Sequence, residues 1–243
     1  MPIDFIPKFG NLNVLEENKD FLIVEKPIGL LTHPDKYSKE QTLIDLIFKK
    51  YPEVENVGQQ GRGGIVHRLD RDVSGLMVVA RTKETYEHLI DQFQQGKVKK
   101  EYLALVYGEP SEDKGEIDFP LGRNKKGKII AVLYKKKVKQ EKPAKTRYEI
   151  IRKFSDPQKF SLLKVFLLTG RTHQIRAHLR AIGCPIVGDG EYRIKDRSLK
   201  KPLELKRVFL HAHCLGFYNR ENVWQEFKTE LPKELKEFLN KII

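Results

Sequence analysis

The sequence predicts an α+β protein built on a mixed or mainly antiparallel sheet. Three observations carry this. Strand-like segments outnumber helical ones, and several neighbouring strands have no helix between them. A fully apolar run of strand length, residues 76–80, reads as a buried central strand.

The elements follow in chain order. Residues 21–25 form a short strand stopped by Lys26-Pro27. Thr42 opens a helix, with Asp45 placed for a capping box and Leu43, Leu46 and Ile47 on its apolar face. Gly58, Gly61, Gly63 and Gly64 mark a loop before the 76–80 strand. Thr82 caps a second helix whose face is Tyr86, Leu89, Ile90 and Phe93, with Gly96 at its end. Strands are expected at 102–107, 129–134, 146–152 and 160–168. A helix follows Gly170, aligning Ile175, Leu179 and Ile182, with Gly183 and Pro185 beyond. Late strands are expected at 208–210 and 223–227. A last helix carries Leu231, Leu235, Phe238, Leu239 and Ile242. Residues 140–144 read as a surface excursion. No repeat and no domain boundary is visible.

Composition narrows the class. The chain has 243 residues, 40% hydrophobic and 33% charged, which suits a folded soluble protein with a sizeable core. No apolar run has the length of a membrane span, and the N-terminus lacks a signal peptide's basic start and apolar stretch, so a cytoplasmic location is expected. Cys184 and Cys214 stand alone without a CxxC pair, as small core residues rather than zinc ligands. Lys and Arg number 46 against 33 Asp and Glu, a net charge of +13 that attracts polyanions such as RNA.

Four polar stretches are candidates for function. In His67-Arg-Leu-Asp-Arg-Asp-Val-Ser-Gly75, Asp70 lies between Arg68 and Arg71; neighbouring cations favour an ionised carboxylate, fit to be a nucleophile or base. The plainer reading is a surface ion-pair cluster around a turn. Residues 168–176 run from a strand end into a helix start, where Arg171 is placed for an anion; an ordinary solvated helix start reads equally well. His173 and His178 are five apart, a poor spacing for one metal, so metal is rejected there. Lys97, Lys99 and Lys100 precede Tyr102, which suits base stacking beside phosphate, or merely a half-buried strand tyrosine. Two lysine-rich groups suit a phosphate backbone: Lys125, Lys126, Lys128, Lys135, Lys136, Lys137, Lys139, Lys142 and Lys145; and Lys195, Arg197, Lys200, Lys201, Lys206 and Arg207.

The stretch from His67 to Leu76 closely resembles the signature around the catalytic aspartate of RluA-type pseudouridine synthases. Three further stretches agree in order: Lys26-Pro-Ile-Gly-Leu30, Lys100-Glu-Tyr-Leu-Ala-Leu-Val106 and Gly170-Arg-Thr-His-Gln-Ile-Arg176. Gly188-Asp-Gly-Glu-Tyr192 also fits. The resemblance implies a mixed, largely antiparallel sheet with flanking helices and a central RNA-binding cleft. It implies isomerisation of uridine to pseudouridine in structured RNA, ribosomal RNA ahead of tRNA. No cofactor and no metal is needed, because nothing is oxidised or added.

Asp70 is then the catalytic carboxylate, with Arg171 paired to it and Tyr102 stacked on the uracil. Leu168 is a pocket wall or simply a core strand residue. Arg68 and His67, beside Asp70, are expected to contact substrate. The target base must leave its stack. Larger relatives carry an N-terminal S4-like domain. The residues before Phe21 are too few for one, so a single catalytic domain over 1–243 is expected; separately, a monomer is expected. Two other classes stay open: an RNA-binding assembly or folding factor without chemistry, and a glycosidase using Asp70 with Asp72.

Overall fold

The computed structural model describes residues 11–34, 40–133, 138–155, 158–193 and 205–242. In chain order its strands are β1 (Asn13–Glu17), β2 (Phe21–Lys26), β3 (Ser74–Ala80), β4 (Lys99–Tyr107), β5 (Lys114–Ile117), β6 (Leu121–Arg123), β7 (Ile129–Ala131), β8 (Lys139–Lys142), β9 (Thr146–Phe154), β10 (Phe160–Leu167), β11 (Leu210–Tyr218) and β12 (Trp224–Lys228). Its helices are α1 (Leu43–Lys50), α2 (Lys83–Gln94), α3 (Gln174–Ala181) and α4 (Lys233–Asn240). The α+β class and the largely antiparallel pairing are as the sequence predicts. The chain divides into two compact units, one of Met1–Val98 with Leu215–Phe227, the other of Lys99–Cys214 with Lys228–Ile243.

In the first unit β2 pairs antiparallel with β1 and β3, in register Glu25↔Leu76 and Lys26↔Gly75. Every residue of β3 is buried, which is why it reads as an unbroken apolar run rather than an alternation. Phe21, Ile23, Leu76, Val78, Leu89, Leu215 and Phe217 make the core, with Tyr86 and Phe93 of α2 packed on it. The caps form as expected. Asp45 accepts from the Thr42 amide at 2.8 Å, and Thr82 Oγ1 accepts from the Thr85 amide at 3.2 Å. The Gln92 amide pairs with the Tyr218 backbone in both directions, at 2.8 Å each, and so anchors α2 on β11.

In the second unit the strand order is β11-β4-β10-β9-β5, beside a small sheet β7-β6-β8. Tyr102 lies opposite Val165 in the β4–β10 pair. Leu121, Ala144, Ala177 and Tyr192 form a minor core that α3 covers, and Leu235 and Phe238 bury the apolar side of α4.

Several elements depart from the sequence expectation. The 208–210 strand is β11, which begins at Leu210 and runs to Tyr218. Buried His211 hides its apolar pattern. The supposed excursion at 140–144 begins as strand β8, exposed throughout and paired to β6. β1 and β5 were not anticipated either. All three are short, charged edge strands held by backbone pairing, so no side-chain alternation announces them. The 129–134 strand is described only as β7, with Tyr134 outside the described residues.

Candidate active site

Asp70 begins a tight turn, its carbonyl accepting from the Val73 amide at 3.1 Å just before β3. A buried lysine straps that turn to a neighbouring one. Lys26, at the end of β2, is fully buried, and its ammonium donates to the carbonyls of Pro27 (2.9 Å), Leu30 (2.8 Å) and Arg71 (3.2 Å). The Gly29 amide donates to the same Arg71 carbonyl at 2.8 Å, and Thr32 Oγ1 donates to the Leu69 carbonyl at 3.0 Å. Gly29 sits at φ 81°, a conformation that suits glycine. The Lys-Pro-Ile-Gly segment and the Asp70 turn are therefore one welded piece. Half-exposed Asp70 thus stands on a backbone held on both sides by hydrogen bonds.

The arginines that flank Asp70 in sequence do not embrace it. Arg71 donates to the Gly29 carbonyl at 3.2 Å and pairs with Glu40 at 2.6 Å. Exposed Arg68 reaches His33 Nε2 at 3.4 Å. His67 Nε2 accepts from the Val78 amide at 3.1 Å, and its ring stacks on Phe93 with centroids 4.8 Å apart. That bond makes its Nδ1 the protonated nitrogen of a neutral ring, and it packs the loop onto β3 and α2.

The other candidates lie in the second unit. Tyr102 is buried in β4. Lys100, two residues earlier, shares its side of the strand. Burial pushes the Lys100 ammonium down to about 8. Its Nζ lies 3.9 Å from where a Cβ on Gly170 would stand, so lysine and arginine segments meet there. Glu101 faces the opposite way, against Lys99 and Lys164.

Arg171 is exposed, and its Nε donates to the Pro143 carbonyl at 3.1 Å. Its turn hangs on Gln174, a residue singled out only as part of a motif. The buried Gln174 Oε1 accepts from the Arg171 amide (3.0 Å) and Thr169 Oγ1 (2.7 Å), while Nε2 donates to the Lys145 carbonyl and Thr146 Oγ1, both at 2.9 Å. His173 takes a left-handed conformation, φ 52°, to start α3, and its Nδ1 meets Tyr192 Oη at 3.1 Å. Leu168 stands just before this turn, 38% exposed, its amide bonded to the Lys145 carbonyl at 3.2 Å.

Deeper in α3, Arg176 forms a buried two-pronged pair with Asp189, at 2.7 and 2.9 Å. Burial pushes the Asp189 carboxyl up, but the Arg176 guanidinium and the Tyr192 and Glu191 amides outweigh it and hold it below the usual carboxylate range. His178 bonds Thr146 Oγ1 and the Phe119 carbonyl, and burial lowers its pKa.

Of the two lysine-rich groups, Lys135, Lys136, Lys137, Lys195, Arg197, Lys200 and Lys201 lie outside the described residues. Arg207 is buried and paired with Glu234 of α4, and so ties down a helix instead of facing solvent.

The solved structure of a human RNA pseudouridylate synthase domain-containing protein matches 91% of this chain and 84% of its own, with TM-score 0.72 and 26% identity. The profile of the family described as RNA pseudouridylate synthase matches residues 20–181. The chain belongs to that family. An uncharacterised RNA pseudouridine synthase of Chloroflexus aurantiacus is 42% identical over 218 residues, 89% of this chain and 65% of its own length. A ribosomal large subunit pseudouridine synthase D of Nitrosomonas europaea is 41% identical over 241 residues, 95% of this chain and again 65% of its own. The chain thus spans slightly less than two thirds of these two relatives.

Proposed function

We propose that this protein converts particular uridines of structured RNA to pseudouridine, with Asp70 as the essential carboxylate. In that reaction the N1–C1′ bond breaks, the uracil turns, C5 joins C1′, the C5 proton is lost and N1 gains one. Atoms and electrons balance without cofactor or metal. The observation that carries the reading is the Asp70 turn welded to the Lys26 segment, in a chain of this family. A carboxylate on so fixed a backbone is preorganised, as a group that must meet a flipped base at one angle has to be. It can attack C1′, attack C6, or take a ribose proton.

Tyr102 stacks on the uracil and helps remove the C5 proton. Arg171 pairs with Asp70 and holds it charged, Leu168 walls the pocket, and Arg68 and His67 flank the entering nucleotide. Ribosomal RNA stands ahead of tRNA, in keeping with the name of the Nitrosomonas relative. The catalytic domain itself holds the RNA, and the protein acts as a monomer in the cytoplasm.

The test uses RNA labelled with tritium at C5 of uridine, taken from a strain lacking the gene. The wild type should release tritium to water and leave pseudouridine, and Asp70→Ala should release none. Binding without release from any RNA, assembly intermediates included, would leave an RNA-binding factor in place of an enzyme. Free uracil would point to the glycosidase.

A further inference from the structure

The small sheet β7-β6-β8 of the second unit has a feature that packing alone does not explain. Its β6–β7 hairpin is tightly made. Asn124 Oδ1 accepts from the Lys126 and Lys128 amides at 2.9 and 3.1 Å, and Gly127 takes φ 78° at the tip. The hairpin is bolted down from below, where Tyr192 Oη donates to the Ile129 carbonyl at 2.9 Å and Lys128 lies 4.3 Å over the Tyr192 ring.

On this frame Arg123, Asn124, Lys125, Gly127, Lys139 and Gln140 line a cavity of about 390 Å³. Three of the six are cations and none is acidic. Among the described residues no carboxylate pairs with Arg123, Lys125 or Lys139. Arg123 is steadied instead by the Gly127 carbonyl at 2.8 Å.

The contrast within the same unit is sharp. Lys114 pairs with Glu149, Lys145 with Glu116 and Asp118, and Lys153 with Glu109 and Asp113. Lys114, Lys145, Arg147 and Lys153 are thus neutralised, whereas Arg123, Lys125 and Lys139 of the small sheet are gathered in a concavity and left positive. Like charges held together cost stability, and an anion placed among them relieves it. The cavity is also open on the glycine side, since a Cβ at Gly127 would meet nothing within 4 Å.

Its position gives the anion a use. β8 leads directly into Pro143, whose carbonyl holds Arg171, and into Lys145 and Thr146, which hold Gln174. We infer that this cavity binds the phosphodiester backbone of the substrate RNA, as a grip on nucleotides other than the one isomerised. The inference rests on the RNA reading above. The RNA then lies on the chain segment that also carries the Arg171 turn, and one seating serves affinity and alignment together.

The test compares the wild type, the triple variant Arg123→Gln/Lys125→Gln/Lys139→Gln and a control, Lys114→Gln/Lys153→Gln, whose lysines are already paired. RNA binding is measured across salt concentrations, and tritium release gives kcat and KM. The triple variant should flatten the slope of log K against log salt by about 2, from three lost contacts at roughly 0.7 each. Its KM should rise about tenfold or more with kcat little changed, and the control should follow the wild type. An unchanged slope and KM in the triple variant would overturn the inference, as would an equal loss in the control. A wild type that releases no tritium would instead sink the isomerase reading, while the slopes still decide whether this cavity holds RNA.

Discussion

Lys26 is a buried charge that holds two loops together. Its ammonium meets three carbonyls from two loops, and one of them belongs to the residue after Asp70. Lys26→Met keeps the length and removes the donors, taking the ammonium from the buried Leu30 carbonyl and leaving the Arg71 carbonyl with the Gly29 amide alone. We expect a loss of about 2–4 kcal/mol in urea unfolding, with kcat falling more than RNA affinity because the Asp70 turn loosens. Asp70→Asn tests the carboxylate apart from its scaffold. Its unfolding midpoint should stay within a few degrees of wild type and its RNA affinity within a few-fold, while tritium release disappears. His211 is a residue whose part is played through pH. Burial first, and then Arg207 and His213, push its pKa from 6.5 down to about 3. As pH falls below 6.5 the unfolded chain takes up a proton that the folded one refuses. Stability therefore drops between pH 6.5 and about 3 and is insensitive to this group above that window. Asp189, held low when folded, adds a loss as pH falls through the carboxylate range. Unfolding measured from pH 7 to 4 should show this decline, and His211→Leu should make it shallower.

The element that matters most is the start of α3. Four hydrogen bonds through Gln174, a left-handed His173 and the Pro143 carbonyl set where Arg171 leaves the chain. Gln174→Leu fills the same space and removes every one of those bonds. It should lower kcat by at least about tenfold while the β9–β10 core stays folded, read by tritium release beside far-UV circular dichroism. Farther along α3, Asp189→Asn breaks the buried pair with Arg176. A buried guanidinium that loses its two-pronged carboxylate and keeps Glu191 at 3.5 Å beside the Tyr192 ring is costly, and the loss should be about 2–4 kcal/mol in urea unfolding. The strands β1, β5 and β8 show the converse. They are short and charged, and apart from buried Ile117 of β5 they contribute backbone pairing and edge protection rather than core.

The chain carries a net charge of +13, and among the described residues carboxylates pair with Lys114, Lys145, Arg147 and Lys153 but not with Arg123, Lys125 or Lys139, so total charge does not say where the unpaired cations lie. Much else was readable before any coordinates. The caps at Thr42 and Thr82, the all-apolar β3, the α2 face and the order of the four motifs depend on residues near one another in the chain, and local sequence carries local interactions in full. Asp70, Tyr102 and Arg171 were legible as candidates for the same reason, through motifs of consecutive residues. What the chain order concealed was partnership at a distance. Arg68 and Arg71 border Asp70 in sequence yet bond His33, Gly29 and Glu40. Lys26 is 45 residues from the Arg71 carbonyl that it holds. Gln174, Lys145 and Thr146 meet only because a strand and a helix start are packed together. The sequence by itself determined the fold class, the family and the catalytic candidates, because these are written in periodicity and contiguous motifs. Only the tertiary structure decided which cations are paired and what holds the Asp70 and Arg171 turns, because those outcomes depend on which side chains folding brings within hydrogen-bond reach.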